Sequence, residues 1–178
     1  MTTPTPLARK ILDALRAIPD YPKPGIIFQD ITPVLADAKL FHALIAAMGD
    51  PFRDDGITHV MGIEARGFIL GGAVATDLHA GFVPARKPGK LPWERVRESY
   101  ELEYGTDALE CHRDGVDSQA RVLIVDDVLA TGGTARAAAQ LARGLGAQVV
   151  GWSFLLEIGG LGGAGRLDGA RSHILVRR

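Results

Sequence analysis

The chain has 178 residues, with 20 Lys or Arg and 21 Asp or Glu, which gives a formal net charge of −1 at pH 7. This length is that of one domain with a full-sized core. The balanced charge, with no Lys/Arg block, argues against a nucleic-acid-binding protein. The longest apolar stretches, residues 67–75 and 149–156, are too short to cross a bilayer, which takes about 20 residues.

The N-terminus and the cysteine content indicate a cytoplasmic protein. The first six residues have neither the basic start nor the apolar run of a signal peptide, and the single cysteine, Cys111, has no internal partner for a disulfide.

Two helices and an extended segment are predicted in the N-terminal part. Apolar residues spaced by three and four predict a helix over residues 5–18, with Thr5 as its N-cap. Residues 21–30 contain too much proline for a helix and predict an extended, ordered loop with an exposed Phe28. A second amphipathic helix is predicted over residues 37–48.

Apolar strands and amphipathic helices alternate from residue 59 onward. Strands that are apolar on both faces and separated by helices are typical of a parallel sheet covered on both sides. The sequence therefore predicts an α/β domain with a twisted, mainly parallel sheet and helices on both faces. The predicted strands are 59–63, 82–85, 121–125 and 148–156, and the predicted helices are 68–79 and 134–145.

Residues 86–118 interrupt this alternation with a polar stretch that contains proline and glycine. Apolar and polar residues alternate only briefly, at Tyr100, Leu102 and Tyr104. A segment of this length without helical periodicity is typical of an active-site lid or a hairpin flap.

The most informative segment is residues 122–134, VLIVDDVLATGGT. A predicted strand is followed by Asp126 and Asp127, and then by consecutive N–H groups and two hydroxyls at a helix N-terminus, where unpaired donors and the helix dipole favour phosphate. Ligands of open α/β sheets bind at this edge. The acids would repel a bare anion, so the pattern favours a ligand with phosphate at one end and hydroxyls or a bound cation near the acids. A capped turn with solvated acids is the alternative.

Residues 64–67, EARG, form a weaker motif, because an acid and a base on a loop usually form a surface ion pair worth little. Their place at the carboxyl end of a predicted parallel strand, the edge that also carries Asp126, favours a site.

Other patterns are interpreted as structural. Residues 160–165, GLGGAG, match the Gly-x-Gly-x-x-Gly pattern of dinucleotide binding, but no amphipathic helix follows, so a flexible surface turn is predicted. The five histidines lack ligand spacing, which argues against a zinc site. Cys111 is interpreted as a small hydrophobic residue.

Segments of the chain resemble, in the same order, the motifs of the type I phosphoribosyltransferases, most closely those that use adenine. Residues 122–134 resemble the family's phosphoribosyl pyrophosphate motif, and residues 62–68, GIEARGF, resemble its pyrophosphate loop. Residues 21–35, YPKPGIIFQDITPVL, resemble its base-binding hood. Residues 86–92, RKPGKLP, and 100–105, YELEYG, resemble the two ends of its catalytic flap.

The resemblance implies the type I phosphoribosyltransferase fold, as one domain over residues 1–178 with an N-terminal hood over about 1–35 and a β-hairpin flap over about 86–118. It also implies ligands for phosphoribosyl pyrophosphate. The two acids would bind the ribose hydroxyls, the loop after them the 5′-phosphate, and the basic residues the pyrophosphate, with Arg86 acting across a dimer interface. These ligands are Ala65, Arg66, Arg86, Lys90, Asp126, Asp127, Ala130, Thr131, Gly132, Gly133 and Thr134.

Further roles are implied at the base and at the reacting centre. Phe28 would stack on adenine, while Ile27 and Ile158 complete an apolar slot. Glu103 and Tyr104 would close over the reacting centre. Magnesium would bridge pyrophosphate and ribose hydroxyls and be carried mainly by the substrate, so no dedicated metal ligands are implied. The implied catalytic residues are Glu103, Tyr104, Arg66 and Lys90.

The implied reaction converts adenine and phosphoribosyl pyrophosphate to AMP and pyrophosphate, a step of purine salvage, in a homodimer. Two alternatives remain open. A sister enzyme would use hypoxanthine, guanine or xanthine on the same scaffold. A regulator would bind phosphoribosyl pyrophosphate without turnover, but it would need a DNA-binding module or a basic face, for which this chain has no room.

Overall fold

Five α-helices and nine strands form the part of the computed structural model that is described, residues 4–101 and 105–178. The helices are α1 (Pro6–Ala14), α2 (Thr32–Ala36), α3 (Ala38–Gly49), α4 (Arg66–Asp77) and α5 (Gly133–Gly144). The strands are β1 (Arg16–Pro19), β2 (Ile27–Asp30), β3 (His59–Ile63), β4 (Gly81–Ala85), β5 (Arg95–Glu101), β6 (Thr106–His112), β7 (Arg121–Leu129), β8 (Gln148–Glu157) and β9 (Arg171–Arg177).

A parallel sheet forms the centre, with the strand order β4, β3, β7, β8, β9. Successive residues of β7 point to opposite faces, as strand geometry requires. Val122 and Ile124 pack in the cluster that includes α5, and Leu123 and Val125 pack in the cluster that includes α1, α3 and α4. Helices therefore cover both faces, and the predicted α/β architecture is confirmed.

The first helix begins as predicted but ends early. The Oγ1 atom of Thr5 accepts a hydrogen bond from the N–H of Ala8 at 3.2 Å, which confirms the N-cap. The helix ends at Ala14, so the prediction of helix as far as residue 18 was wrong. Pro19 disfavours helical geometry in the residue before it, and the chain forms β1 instead.

The N-terminal hood contains a two-stranded sheet separate from the central one. β1 and β2 pair antiparallel, with Ile18 opposite Phe28. The segment predicted as an extended loop over residues 21–30 thus ends in a strand. Phe28 is half-buried rather than exposed, and its ring packs edge-on against Tyr21 at 5.2 Å between centroids.

β5 and β6 form the predicted β-hairpin, with Arg95 opposite His112 at its open end. Its stem belongs to the core, since Tyr100, Leu109 and Cys111 are buried in the same cluster as α5. Burial raises the pKa of the Cys111 thiol to about 11, in keeping with its interpretation as a small hydrophobic residue. The hairpin stem is therefore anchored to the domain rather than free to swing as a separate lid.

The edge strand β9 is absent from the sequence prediction, which has no strand after residue 156. Of its seven residues, RSHILVR, one, Val176, is buried. An edge strand has a neighbour on one side only, so it lacks the continuous apolar run by which buried parallel strands are recognised.

The helices are short. α3, α4 and α5 have 12 residues each. Among the described residues, no helix has both the length and the apolar character needed to cross a membrane.

Candidate active site

The carboxyl ends of β3 and β7 open into a cleft of about 550 Å³. A small concavity of about 70 Å³ adjoins it and shares four of its lining residues, Asp126, Val128, Ala130 and Thr134. The cleft therefore brings together the two motifs that the sequence places at this edge. Its lining residues are Ile63, Glu64, Ala65, Arg66, Lys87, Asp126, Asp127, Val128, Ala130 and Thr134.

A larger cavity of about 610 Å³ lies on the hairpin and is a weaker candidate. Its lining is charged and largely paired within itself, with Arg95 3.1 Å from Glu110 and Arg113 3.6 Å from Glu94. It contains none of the motif residues.

The small concavity is formed by the loop between β7 and α5. Gly132, the residue before the helix, has φ of 82°, a left-handed conformation that glycine adopts without steric cost. The first N–H groups of α5 have no partner within the helix, and the helix dipole adds positive potential there. The concavity therefore suits a phosphate group. Of the predicted phosphate-binding residues, Ala130, Thr131, Gly132 and Thr134 line it, and Gly133 is the first residue of α5.

Asp126 and Asp127 lie within β7, which continues to Leu129, so the prediction that the strand ends at residue 125 was wrong. Pairing with β3 nevertheless stops at Val125, which leaves both acids free of a neighbouring strand on the side of the cleft. Burial, and then the charge of Asp127, raise the pKa of Asp126. A ligand that brings hydroxyl donors or a cation would relieve this unfavourable pairing of charges.

Arg66 connects the acids to the hood. Its Nε atom lies 2.7 Å from Oδ2 of Asp127, but the N–H does not point at that oxygen, so the contact is an ion pair without an aligned hydrogen bond. The guanidinium carbon lies 4.8 Å from the centroid of the Phe28 ring, within range of a cation–π contact. The predicted base-stacking residue therefore lies beside the predicted pyrophosphate-binding residue.

Gly67, the second residue of α4, marks a close approach between that helix and β7. The preceding peptide bond, between Glu64 and Ala65, is cis. A Cβ atom on Gly67 would lie 2.6 Å from Oδ1 of Asp126 and 3.1 Å from the carbonyl oxygen of Val125. A larger residue would crowd Asp126 and Val125, so the two motifs of the cleft are in direct contact.

Glu64 has a role that the sequence did not reveal. Its side chain is 10% exposed, and its carboxylate contacts Nζ of Lys90, Nε of Arg86 at 3.4 Å and the N–H of Lys87 at 2.9 Å. Burial alone would raise the pKa of Glu64, but the hydrogen bonds from Lys90 and Lys87 and the charge of Arg86 outweigh it and lower the pKa. Glu64 thus gathers the two cations that were predicted to bind pyrophosphate.

Lys87 is a second residue that the sequence did not single out. Its Nζ atom donates a hydrogen bond to the hydroxyl of Tyr100 at 2.7 Å and contacts the carboxylate of Asp107. Burial alone would lower the pKa of Lys87, but these hydrogen bonds raise it. Lys87 links the wall of the cleft to the hairpin. The sequence feature that could have identified Lys87 is its place in RKPGKLP, between the already assigned Arg86 and Lys90.

The remaining predicted residues lie around the cleft. Arg86 and Lys90 contact Glu64 at the rim of the cleft and are not among the residues that line it. Ile27 is 61% exposed in β2. Ile158 is half-buried, and its N–H donates a hydrogen bond to the carbonyl oxygen of Leu129 at 3.0 Å. This places it next to residues 130–134, the loop predicted to bind phosphate, called the phosphate loop below. Glu103 and Tyr104 lie outside the described residues.

A profile of the phosphoribosyl transferase domain matches residues 34–159. The curated adenine phosphoribosyltransferase of Myxococcus xanthus is 56% identical over 174 residues, covering 98% of this chain and 95% of that protein. The chain belongs to the adenine phosphoribosyltransferase family. The family member of Methylobacterium sp. (strain 4-46) is also 56% identical, over 87% of this chain and 86% of that protein.

Solved structures of adenine phosphoribosyltransferases share the fold. That of Rhodothermus marinus matches with a TM-score of 0.93 at 50% identity and covers 97% of this chain and 98% of that one. That of Saccharomyces cerevisiae, complexed with adenine and an imino-altritol bisphosphate, matches with a TM-score of 0.89 at 38% identity and covers 95% and 98%. The predicted type I phosphoribosyltransferase fold is confirmed.

The magnesium ion implied by the adenine phosphoribosyltransferase resemblance has suitable donors in the cleft. Oδ2 of Asp127 is buried without a hydrogen-bond partner in the described structure, and carboxylate oxygens are ligands that Mg²⁺ prefers. Within residues 4–101 and 105–178, no cluster of three or more His, Cys, Asp or Glu could hold a metal alone.

Proposed function

We propose that this protein transfers the 5-phosphoribosyl group from phosphoribosyl pyrophosphate to adenine, giving AMP and pyrophosphate. The observation that carries the proposal is the order of groups along the cleft. The phosphate-sized concavity adjoins the two acids, Asp126 and Asp127, and Arg66 lies against Asp127. Phosphoribosyl pyrophosphate has the matching order: a phosphate, ribose hydroxyls and a pyrophosphate.

Binding exchanges contacts within the protein for contacts with the substrate. The 5′-phosphate binds the N–H groups of residues 130–134, and the ribose hydroxyls donate to Asp126 and Asp127. The pyrophosphate draws Arg66 away from Asp127 and binds at Ala65. At the rim, the cations on Glu64 complete the neutralisation of the pyrophosphate charge.

The chemical step is displacement of pyrophosphate from the ribose C1 atom by N9 of adenine, with oxocarbenium character in the transition state. Negative charge grows on the leaving pyrophosphate as the bond breaks. Arg66, Arg86 and Lys90 stabilise this charge, and Glu64 holds Arg86 and Lys90 together before the substrate arrives. A magnesium ion, for which the carboxylate of Asp127 is a suitable donor, would supply further positive charge to stabilise the leaving pyrophosphate.

The base binds on the hood side, against the ring of Phe28, with Ile27 and Ile158 on its apolar edges. Glu103 and Tyr104, which lie outside the described residues, are assigned to the reacting centre on the family resemblance. The described end of β5 supports this role, because a Cβ atom on Gly133 would lie 3.3 Å from the carbonyl oxygen of Glu101, beside the phosphate loop. Glu103 accepts the proton that leaves N7 while N9 attacks the ribose C1 atom.

The implied homodimer and cytoplasmic location belong to the same proposal. Ile69 and Phe82 expose 48% and 38% of their surface, and Phe82 packs edge-on against Phe68, whose ring lies 5.9 Å from the guanidinium of Arg86. An exposed apolar surface of this kind suits a protein interface and adjoins the cation expected to act across it. The unpaired thiol of Cys111 is in keeping with a reducing compartment.

The deciding experiment measures nucleotide formation from phosphoribosyl pyrophosphate, with Mg²⁺, for adenine, hypoxanthine, guanine and xanthine. We expect adenine to be preferred over hypoxanthine by about 10⁴ in kcat/KM, since replacing the 6-amino donor by a 6-oxo acceptor leaves a buried polar group unpaired. Comparable values would favour a 6-oxopurine enzyme. Binding of phosphoribosyl pyrophosphate without any product would favour the regulator.

A further inference from the structure

The glycine-rich segment at residues 160–165 lies mostly on the surface, as predicted from the sequence, but Gly163 packs against the phosphate loop. Gly163 is buried, and a Cβ atom on it would lie 2.2 Å from the carbonyl oxygen of Ala130 and 3.0 Å from Cγ of Leu129. Its φ of −58° is available to any residue. The contact with Ala130, rather than the backbone conformation, therefore requires glycine here.

Arg166 contacts Thr131, the residue that follows Ala130 in the same loop. Its Nη1 atom donates a hydrogen bond to the carbonyl oxygen of Thr131 at 3.2 Å. Within the part of the chain that the structure describes, no carboxylate forms an ion pair with this guanidinium. The carbonyl oxygen of Gly163 also lies 3.0 Å from the position of a Cβ atom on Gly132. The segment thus contacts three consecutive residues of the phosphate loop.

These contacts are made at carbonyl oxygens of the loop, those of Ala130 and Thr131. In a trans peptide the carbonyl and the following N–H point in opposite directions. With the Thr131 carbonyl turned to Arg166, the N–H of Gly132 points away from Arg166. A charged donor on the carbonyl also polarises the peptide and strengthens its N–H as a donor.

The segment is itself held in place. The N–H of Ala164 donates to Oε1 of Glu157 at 3.3 Å, and Oε2 of the same glutamate accepts from Nε of Arg177 at 2.6 Å. Leu167 packs against the core cluster that includes α5. The support behind the phosphate loop is therefore attached to β8, β9 and the core.

We propose that Gly163 and Arg166 are positioning residues for the 5′-phosphate, Gly163 by setting how closely the segment approaches Ala130 and Arg166 by orienting the peptide between Thr131 and Gly132. The inference rests on the proposed function and adds to it two residues that do not touch the substrate. They should affect ligands that carry the 5′-phosphate and leave the free base unaffected.

The first test compares Gly163→Ala with Gly165→Ala. Gly165 lies in the same turn, has no positive φ and has no atom within 4 Å of an added Cβ, so it is a matched control. We expect Gly163→Ala to weaken AMP binding, measured by calorimetry, and to lower kcat/KM for phosphoribosyl pyrophosphate by about 100-fold, the effect on rate of a displacement of about 1 Å. KM for adenine at saturating phosphoribosyl pyrophosphate should stay near the wild-type value, and Gly165→Ala should match wild type throughout.

The second test uses Arg166, which is exposed and can be replaced without disturbing the core if Gly163→Ala fails to fold. Arg166→Gln should weaken AMP binding by about 10-fold, a typical effect of losing a charge-assisted hydrogen bond, and Arg166→Lys should recover part of it. A lower melting temperature with unchanged AMP affinity would show a merely structural role and overturn the proposal. So would equal losses in Gly163→Ala and Gly165→Ala. Wild-type protein that does not bind AMP would overturn the proposed function itself.

Discussion

Nε of Arg66 lies 2.7 Å from Oδ2 of Asp127, so the cation proposed to bind pyrophosphate is paired with an acid proposed to bind ribose hydroxyls. The pairing couples the two halves of the cleft. A ligand that displaces Arg66 must also satisfy Asp127, which is buried. Under the proposed function, phosphoribosyl pyrophosphate would do both, whereas adenine alone would do neither.

Replacing Asp127 should therefore change the affinity for phosphoribosyl pyrophosphate but not the affinity for adenine. We expect Asp127→Asn to weaken binding of phosphoribosyl pyrophosphate by about 10- to 100-fold, because charge-assisted hydrogen bonds contribute about 1.5–3 kcal/mol each. Adenine binding should change little. Calorimetry with each substrate measures the difference, and Asp54→Asn, at an exposed carboxylate, is the control. Unchanged affinity for phosphoribosyl pyrophosphate would remove Asp127 from the site.

Two glycines of α4 offer a matched pair. Gly67→Ala should lower both the melting temperature and kcat/KM for phosphoribosyl pyrophosphate, since the new Cβ would lie 2.6 Å from Oδ1 of Asp126. Gly72 has no atom within 4 Å of an added Cβ. Gly72→Ala should instead stabilise the protein by about 0.5–1 kcal/mol, the helix preference of alanine over glycine, with activity unchanged. If Gly67→Ala behaves like Gly72→Ala, the close approach is not needed.

Glu64→Gln should reduce stability in a pH-dependent way. The pKa of Glu64 is lowered in the folded state, so the ionised carboxylate stabilises the fold above its ordinary value of 4.5, and this contribution is lost as the pH falls through the lower folded-state value. The difference in melting temperature between wild type and Glu64→Gln should be present at neutral pH and shrink below pH 4.5.

The same Glu64→Gln variant should raise KM for phosphoribosyl pyrophosphate, because Arg86 and Lys90 lose the carboxylate that gathers them. Glu94→Gln is the control, since its ion pair with Arg113 is exposed and such pairs contribute little. A pH-independent stability difference would contradict the assignment of the lowered pKa to Glu64.

Replacing Glu103 and replacing Phe28 should change different kinetic constants. Glu103→Gln should lower kcat by about 10² to 10⁴, the usual contribution of a general acid–base group, with substrate affinity little changed. Phe28→Ala should chiefly raise KM for adenine, since a stacking surface contacts the ground state and the transition state alike. Steady-state kinetics under conditions where chemistry limits the rate provide the test. A wild-type kcat for Glu103→Gln would make Glu103 an ordinary surface charge.

Local patterns were sufficient where one segment carries both the structural and the chemical signal. The strand and loop of residues 122–134 showed the central strand, the paired acids and the helix N-terminus together, because each depends on neighbours in the sequence. Thr5 was recognised as an N-cap for the same reason. The end of α1 could not be read this way, because antiparallel pairing with β2 competes with helix for residues 16–19.

The sequence by itself thus determined four of the five strands of the central sheet, all but β9, and the motif of the phosphate loop, since hydrophobic periodicity and short motifs record local geometry. The resemblance of those motifs gave the family. Only the tertiary structure decided which side chains act on those motifs. Glu64 gathers Arg86 and Lys90 from another segment, and Gly163 packs against Ala130 from beyond β8. An acid beside a base and a run of glycines have the same local pattern whether they lie on the surface or against a binding loop. The distinction depends on which distant segments the folded sheet brings together.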